Sequence, residues 1–335
     1  MGESKPSSQN ADAMPVLSIR NLCVEIPTRQ GVVKPVNGVS YDIAPGEILG
    51  IVGESGAGKS MAGNAVIGLL SRPAHIASGE IWLNGTRIDK LTGESMRRLR
   101  GKEIGMVFQD PLTSLNPLLR IGDQLVETMR THLDISQSEA EKRAISALEE
   151  VGIPGAAERV DSYPHEFSGG MRQRVVIALA LCAEPSLIIA DEPTTALDVS
   201  VQAQIISLLR RLCRERGTAV MLITHDMGVI AEATDRVGVM YAGRLAEIGP
   251  VESVLTHPQH PYTHGLMAST PLASAGQDRL HQIPGAMPRL DTVPDGCAFH
   301  PRCPYAAEKC RAAPRPEVAG NAAACWFPLV REEAS

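Results

Sequence analysis

The stretch Ile48-Leu-Gly-Ile-Val52-Gly53-Glu-Ser-Gly-Ala-Gly-Lys59-Ser60 is a short apolar run that breaks into a glycine-rich turn ending in Lys-Ser. Its second half fits G-x-x-x-x-G-K-[ST], and a predicted strand stands directly before it, the context that pattern requires. Gly53, Gly56 and Gly58 let the backbone turn so that successive N–H groups face inward on an anion. A helix predicted to begin near Lys59 adds its positive end. The candidate phosphate cradle is Gly53, Glu54, Ser55, Gly56, Ala57, Gly58 and Lys59, followed by Ser60 and Met61. Lys59 supplies charge for the β and γ phosphates, and the Ser60 hydroxyl is placed for Mg²⁺. At average composition the pattern arises by chance in about one chain in a hundred of this length. Its companions therefore decide.

Leu187-Ile-Ile-Ala-Asp191-Glu192 is an apolar run ending in two carboxylates. Asp191 at the tip of a strand suits an outer-shell Mg²⁺ ligand. Glu192, one residue on, faces the other way and can polarise an attacking water. In isolation a strand that merely ends in two solvated acids would be the favoured reading, but the pair follows a phosphate loop by about 130 residues, which turns the choice. Phe167-Ser168-Gly169-Gly170-Met171 precedes an apolar helix. Ser168 is a natural N-cap and the two glycines expose the first N–H groups, making a second anion-binding end. Nothing local separates that reading from a plain capped helix.

Residues 187–190 and 219–224 are continuous apolar runs, the mark of strands covered on both faces in a mostly parallel sheet. Between them 202–216 reads as a helix with Ile205, Leu208, Leu209 and Leu212 on one stripe. Residues 110–180 contain no strand-like run. Ser138-Glu-Ala-Glu141 reads there as a capping box, for a helix that stops at Gly152. The expected fold is α/β: a P-loop NTPase domain over 16–250 with a mostly parallel sheet and a helical subdomain at about 110–180. A tail without order is expected over 1–15, and a small irregular accessory region over 251–335.

Taken in order, the phosphate loop, Gln109, Ser168-Gly-Gly170, Asp191-Glu192, Ala196-Leu197-Asp198 and His225 resemble the nucleotide-binding domain of ABC transporters. The resemblance implies that Ser168 and Gly170 contact the ATP held on a partner domain's phosphate loop. It implies Gln109 at Mg²⁺ and the attacking water, His225 at the γ-phosphate, Asp198 between the two domains and Glu192 as general base. Two departures stand out. The signature reads Phe-Ser-Gly-Gly-Met rather than Leu-Ser-Gly-Gly-Gln. No aromatic occurs between Leu17 and Ser40, where the family often stacks one on adenine; Gln30 stands near that position, beside Val32 and Val33.

Gln109-Asp-Pro-Leu-Thr-Ser-Leu-Asn-Pro117, His260-Pro-Tyr-Thr263 and Gly296-Cys-Ala-Phe-His-Pro-Arg-Cys-Pro-Tyr305 resemble the dipeptide, oligopeptide and nickel importers. That branch implies an ATPase subunit on the cytoplasmic face of the membrane. Its partners would be two permeases, an extracytoplasmic solute-binding protein and a second, distinct ATPase subunit. The segment after Gln109 would face the permease. Peptide-type solutes lead as cargo, with nickel or a sugar-like compound behind. A soluble ABC ATPase acting on DNA or the ribosome is the competing class, but such proteins typically carry two ATPase domains or a long coiled coil. A phosphoryl-transferring kinase would need an acceptor site, for which the sequence offers no candidate.

Bulk properties agree with this class. The chain has 335 residues, 44% hydrophobic and 21% charged, enough for one large domain and an appendage. Its net charge of −6 gives no basic surplus for a nucleic-acid partner. No signal peptide is expected, and the longest apolar run, 175–183, is about half of what a membrane helix needs.

Cys23, Cys182 and Cys213 are expected as buried thiols. Cys297, Cys303, Cys310 and Cys325 crowd the end of the chain, and without a secretory signal a metal site explains them better than disulfides. Four thiolates suit zinc or an iron–sulfur cluster, and their spacing does not choose. Resemblance to the peptide importers' C-terminal region points to a four-iron, four-sulfur cluster.

Overall fold

In the computed structural model the described residues are 14–195, 197–269, 282–312, 314, 317–318 and 323–329. Most of the expected tail, and Ala196, lie outside them. The strands are β1 (Leu17–Thr28), β2 (Gly31–Ile43), β3 (Ile48–Val52), β4 (His75–Leu83), β5 (Thr86–Arg87), β6 (Ile104–Val107), β7 (Leu187–Asp191), β8 (Ala219–Ile223), β9 (Arg236–Tyr241) and β10 (Arg244–Pro250). The helices are α1 (Lys59–Val66), α2 (Gly93–Leu99), α3 (Pro111–Ser114), α4 (Ile121–His132), α5 (Gln137–Glu150), α6 (Ala156–Arg159), α7 (Gly169–Leu181), α8 (Val199–Arg216), α9 (Met227–Ala233), α10 (Val251–Thr256), α11 (Pro261–Ala268) and α12 (Glu308–Ala312).

The central sheet runs β10-β9-β3-β8-β7-β6, parallel except for β10 at its edge. β3 and β8 are buried along their whole length, which is why they read as unbroken apolar runs. The parallel register puts the ends of β3, β7 and β8 side by side, with Ile51 opposite Ile223 and Asp191 also opposite Ile223. Ligands of such sheets bind beyond those carboxyl ends. A second sheet, β2-β1-β4-β5, is antiparallel, and the apolar runs do not signal it. Its strands alternate buried and exposed positions and carry register shifts that break a simple period.

Between β6 and β7 the chain makes helices α3 to α7 and a short 3₁₀ turn, Pro164–Glu166. Leu125, Leu148, Ile177 and Leu209 join these helices to α8 in one apolar core. A second core fills the space between the two sheets and α1, with Ile19, Leu22, Val66 and Ile189. A third lies on β9 and β10 and carries the accessory region through Tyr241, Tyr262 and Phe299. One local expectation needs correction: α5 is capped by Ser136, whose hydroxyl accepts the Glu139 N–H at 3.2 Å, not by Ser138. Ser136-Gln-Ser-Glu139 is itself an S-x-x-E pattern, and it is the earlier serine that caps the helix. Cys182 and Cys213 are buried, whereas Cys23 is half-buried.

Candidate active site

The phosphate loop is the turn from β3 into α1. Gly58 is the N-cap of α1 at φ +103°, and a Cβ there would stand 1.9 Å from the Pro35 carbonyl oxygen. At Gly53, φ +150°, a Cβ would stand 2.2 Å from the Met240 carbonyl oxygen. The loop is pressed between β2 and β9, and only glycine fits at its two ends. Lys59 is buried, and its Nζ donates to the carbonyls of Gly53 at 2.8 Å and Glu54 at 3.2 Å. Burial lowers the Lys59 pKa, against the raising charges of Glu192 and Asp191.

The Ser60 hydroxyl donates to Asp191 Oδ1 at 2.9 Å, joining the start of α1 to the tip of β7. Burial raises the Asp191 carboxyl, the Ser60 bond opposing it and the Glu192 charge adding to it. Hard oxygen donors beside an acid destabilised by desolvation fit a divalent cation such as Mg²⁺.

Gln109, Glu192 and His225 arrive from three strand ends and meet. Gln109 Nε2 donates to Glu192 Oε2 at 2.9 Å, and His225 Nδ1 lies 3.0 Å from Glu192 Oε1. Thr195 Oγ1 also donates to Glu192 Oε2, at 3.0 Å. Glu192 adopts φ +47°, a left-handed conformation uncommon for a non-glycine residue, and its N–H donates to the Ile223 carbonyl at 2.8 Å. That backbone kink lets Glu192 leave the line of β7 while Asp191 stays in it. Burial pushes the Glu192 carboxyl up, but the bonds from His225 and Thr195 and the charges of His225 and Lys59 leave it below its ordinary value. A carboxylate held ionised beside open space can accept a proton.

That space is an open cleft of about 640 Å³, lined by Ser55, Gly56 and Gly58 of the loop, by Lys59, Ser60 and Met61 at the start of α1, and by Pro35, Gln109, Glu192, His225 and Leu290. Gln30 does not line it; Pro35, Met61 and Leu290 supply the apolar wall. Sequence reasoning missed Thr195 and Leu290. Thr195 was within reach, since it follows Asp191-Glu192 by one turn. Leu290 comes from the accessory region, where no periodicity marks it.

Ser168, Gly170 and Asp198 are not at this cleft. The exposed Ser168 caps α7, accepting the Met171 N–H at 3.3 Å. Asp198 caps α8, accepting from Val201 N–H at 3.0 Å and Ser200 Oγ at 2.8 Å, and the Val201 bond foremost holds its carboxyl below the ordinary range.

Cys297, Cys303, Cys310 and Cys325 line one small cavity with Phe299, His300 and Trp326. The backbone links two of them, Cys297 N–H donating to the Cys310 carbonyl at 2.8 Å. Burial, then the neighbouring thiols, push the Cys325 thiol up to about 11. The donor type suits soft metals. As placed, however, no three His, Cys, Asp or Glu side chains among the described residues form a group that could hold a metal ion. The four thiols share one cavity, but their placement does not support the expected iron–sulfur cluster.

The fold and the motif set define a P-loop ATPase of the ATP-binding cassette type. A family model described as "ABC transporter" matches residues 36–195, and one described as "Oligopeptide/dipeptide transporter, C-terminal region" matches 246–310. The oligopeptide transport ATP-binding protein OppD of Escherichia coli is 47% identical over 325 residues, 96% of either chain. The dipeptide transport ATP-binding protein DppD of Bacillus subtilis is 49% identical over 290 residues, 86% of this chain and 87% of that one. A dimeric ATP-binding cassette solved in a post-hydrolysis state with ADP and Pi is 28% identical, with a TM-score of 0.63, over 70% of this chain and 98% of that one.

The chain belongs to the ATP-binding proteins of ABC transporters, within the oligopeptide and dipeptide transport group. Its hydrolysis of ATP is coupled to transport, and membership implies membrane permeases and a solute-binding protein as partners. No helix among the described residues is long and apolar enough to cross a membrane.

Proposed function

We propose that this chain energises the uptake of peptides, binding MgATP on the Gly53–Ser60 loop and hydrolysing it with Glu192 as general base. The observation that carries the reading is the convergence of Gln109, His225 and Thr195 on the Glu192 carboxylate beside Lys59. Lys59 binds the β and γ phosphates, exchanging its loop carbonyls for them. Ser60, Asp191 and Gln109 would hold Mg²⁺, which supplies charge neutralisation on the phosphates. Gln109 and Glu192 orient the attacking water, and the Glu192 carboxylate takes its proton. His225 holds the γ-phosphate.

Ser168 and Gly170, placed apart from this cleft, close the site of a second ATPase subunit, and Asp198 helps to join the two. That subunit is a related but distinct chain, and the pair sits on the cytoplasmic face beneath the permeases. The thiols of Cys297, Cys303, Cys310 and Cys325 would be the ligands of a four-iron cluster with a structural role, once drawn closer together than they stand here.

The complete transporter, with its permeases and binding protein in sealed vesicles, tests the reading. We expect MgATP to drive accumulation of a labelled dipeptide or oligopeptide. Accumulation of nickel or a sugar instead would refute the peptide cargo. Anaerobically purified chain should carry iron and sulfide with visible absorption; stoichiometric zinc without iron would refute the cluster.

A further inference from the structure

The accessory region does more than follow the ATPase domain in the chain, because it reaches the phosphate loop directly. Arg302 stands in the 3₁₀ turn His300–Arg302, between Cys297 and Cys303. Its side chain is only 7% exposed, so its charge needs a partner. The partner is Glu54, the second residue of the phosphate loop: Arg302 Nη1 donates to Glu54 Oε1 at 2.9 Å and Oε2 at 3.2 Å. The same guanidinium donates through Nε to the Pro284 carbonyl at 2.9 Å and reaches the Tyr241 hydroxyl at 3.3 Å. It packs against the rings of Tyr241 and Phe299, 5.8 and 5.9 Å from their centroids.

Glu54 is gripped at its backbone as well. Its N–H donates to the hydroxyl of the fully buried Tyr262 at 3.0 Å. Beyond Pro284 the chain leads to Met287, whose methyl would lie 3.3 Å from a Cβ on Gly56, and to Leu290 in the cleft wall. One guanidinium thus ties together the loop, the end of β9 and the segment that walls the cleft.

From this geometry we infer that Arg302 is a positioning residue for nucleotide: it neutralises and anchors the Glu54 carboxylate so that the phosphate loop can receive a polyanion. Without it, Glu54 leaves a bare negative charge at the rim of a site for triphosphate, and the loop loses its outer support. The inference rests on the proposed role of the loop in binding MgATP. It adds that the turn between two cysteines of the accessory region helps to set nucleotide affinity.

MgATP binding to the purified full chain, and the KM and kcat of the assembled transporter, test the inference. Arg302→Gln and Arg302→Met should each raise the KM for MgATP on the order of tenfold, the scale of one charged hydrogen bond, with kcat changed less than about twofold. Arg302→Lys should recover most of the affinity. Adding Glu54→Gln to either variant should bring KM back toward wild type, because the uncompensated charge is then gone. A tail that had merely unfolded would not be rescued in this way. Wild-type KM in both Arg302 variants, or a double variant as weak as the single, overturns the inference. If one Arg302 variant does not fold, the other carries the same comparison. Absence of MgATP binding to the wild-type chain would instead bring down the proposed function itself.

Discussion

Two helices of this protein open with the same device and end up in opposite situations. α1 and α7 each begin at a glycine-rich turn that bares the first N–H groups, so each offers partial positive charge to an anion. Around the start of α1 the chain assembles everything else: a buried lysine, a serine bonded to Asp191, and the Gln109–Glu192–His225 group. Around the start of α7 it assembles nothing of the kind. Ser168 is exposed and spends its hydroxyl on its own helix, and none of its neighbours lines the cleft. One end is surrounded by the side chains of the proposed reaction centre, and the other keeps only its own cap. The difference teaches that a helix N-terminus becomes a site only through what the sheet delivers to it.

The sharpest way to break this contrast is to remove the base from the equipped end. Glu192→Gln keeps the hydrogen bonds available from Gln109 and Thr195 but cannot take up a proton. Turnover of the complete transporter should fall about 10²- to 10⁴-fold while MgATP binding persists. Retention of more than a tenth of wild-type hydrolysis would show that another group is the base.

A smaller effect is expected at the bare end. Ser168→Arg fills the face that would close on a neighbour's nucleotide. It should leave MgATP affinity of the isolated chain near wild type, yet slow the assembled transporter about tenfold to a hundredfold, the scale of a lost charged hydrogen bond. Full, concentration-independent hydrolysis by isolated wild-type monomer would break the comparison outright, since α7 would then have nothing to cover.

The two ends also differ in how plainly the sequence announced them. The loop was legible residue by residue, because steric demands at Gly53 and Gly58 and the charge of Lys59 leave few alternatives. Asp191 and Glu192 were legible only in company, because an apolar strand ending in two acids follows a phosphate loop in the same chain. The central sheet was legible in its apolar runs. The antiparallel sheet was not, since bulges at Ile19/Leu22 and Val24/Ile26 scramble its period. Leu290, Met287 and Arg302 were invisible for another reason. They act on the loop from a region without helical or strand periodicity, through contacts that only the folded chain creates. The cysteines were visible as a group, but their sequence spacing holds no information on how closely the sulfurs approach.

The smallest effect concerns the electrostatic cost that the equipped end carries before nucleotide arrives. Burial raises the Asp191 pKa in the folded chain above its unfolded value. A raised acid binds its proton more tightly in the folded state, so its contribution to stability is fully present below the ordinary aspartate range. It is lost as pH climbs through the raised folded pKa. At neutral pH the ionised Asp191 is therefore a net burden on the nucleotide-free protein. Asp191→Asn, which keeps a partner for the Ser60 hydroxyl, should raise the Tm of the nucleotide-free chain by less than about 3 °C at pH 7, a change worth under about 1 kcal/mol. The gain should shrink as pH falls toward the ordinary aspartate range, as the wild-type carboxyl takes up its proton. The same variant should lose the extra Tm that MgATP confers on wild type, because the oxygen expected to face the cation has lost its charge. No comparable pH-dependent gain should follow Asp198→Asn, whose carboxylate is fully exposed and already held below its ordinary range by the N-terminus of α8. If Asp198→Asn gave the same pH-dependent rise in Tm, burial beside the phosphate loop would not be its cause.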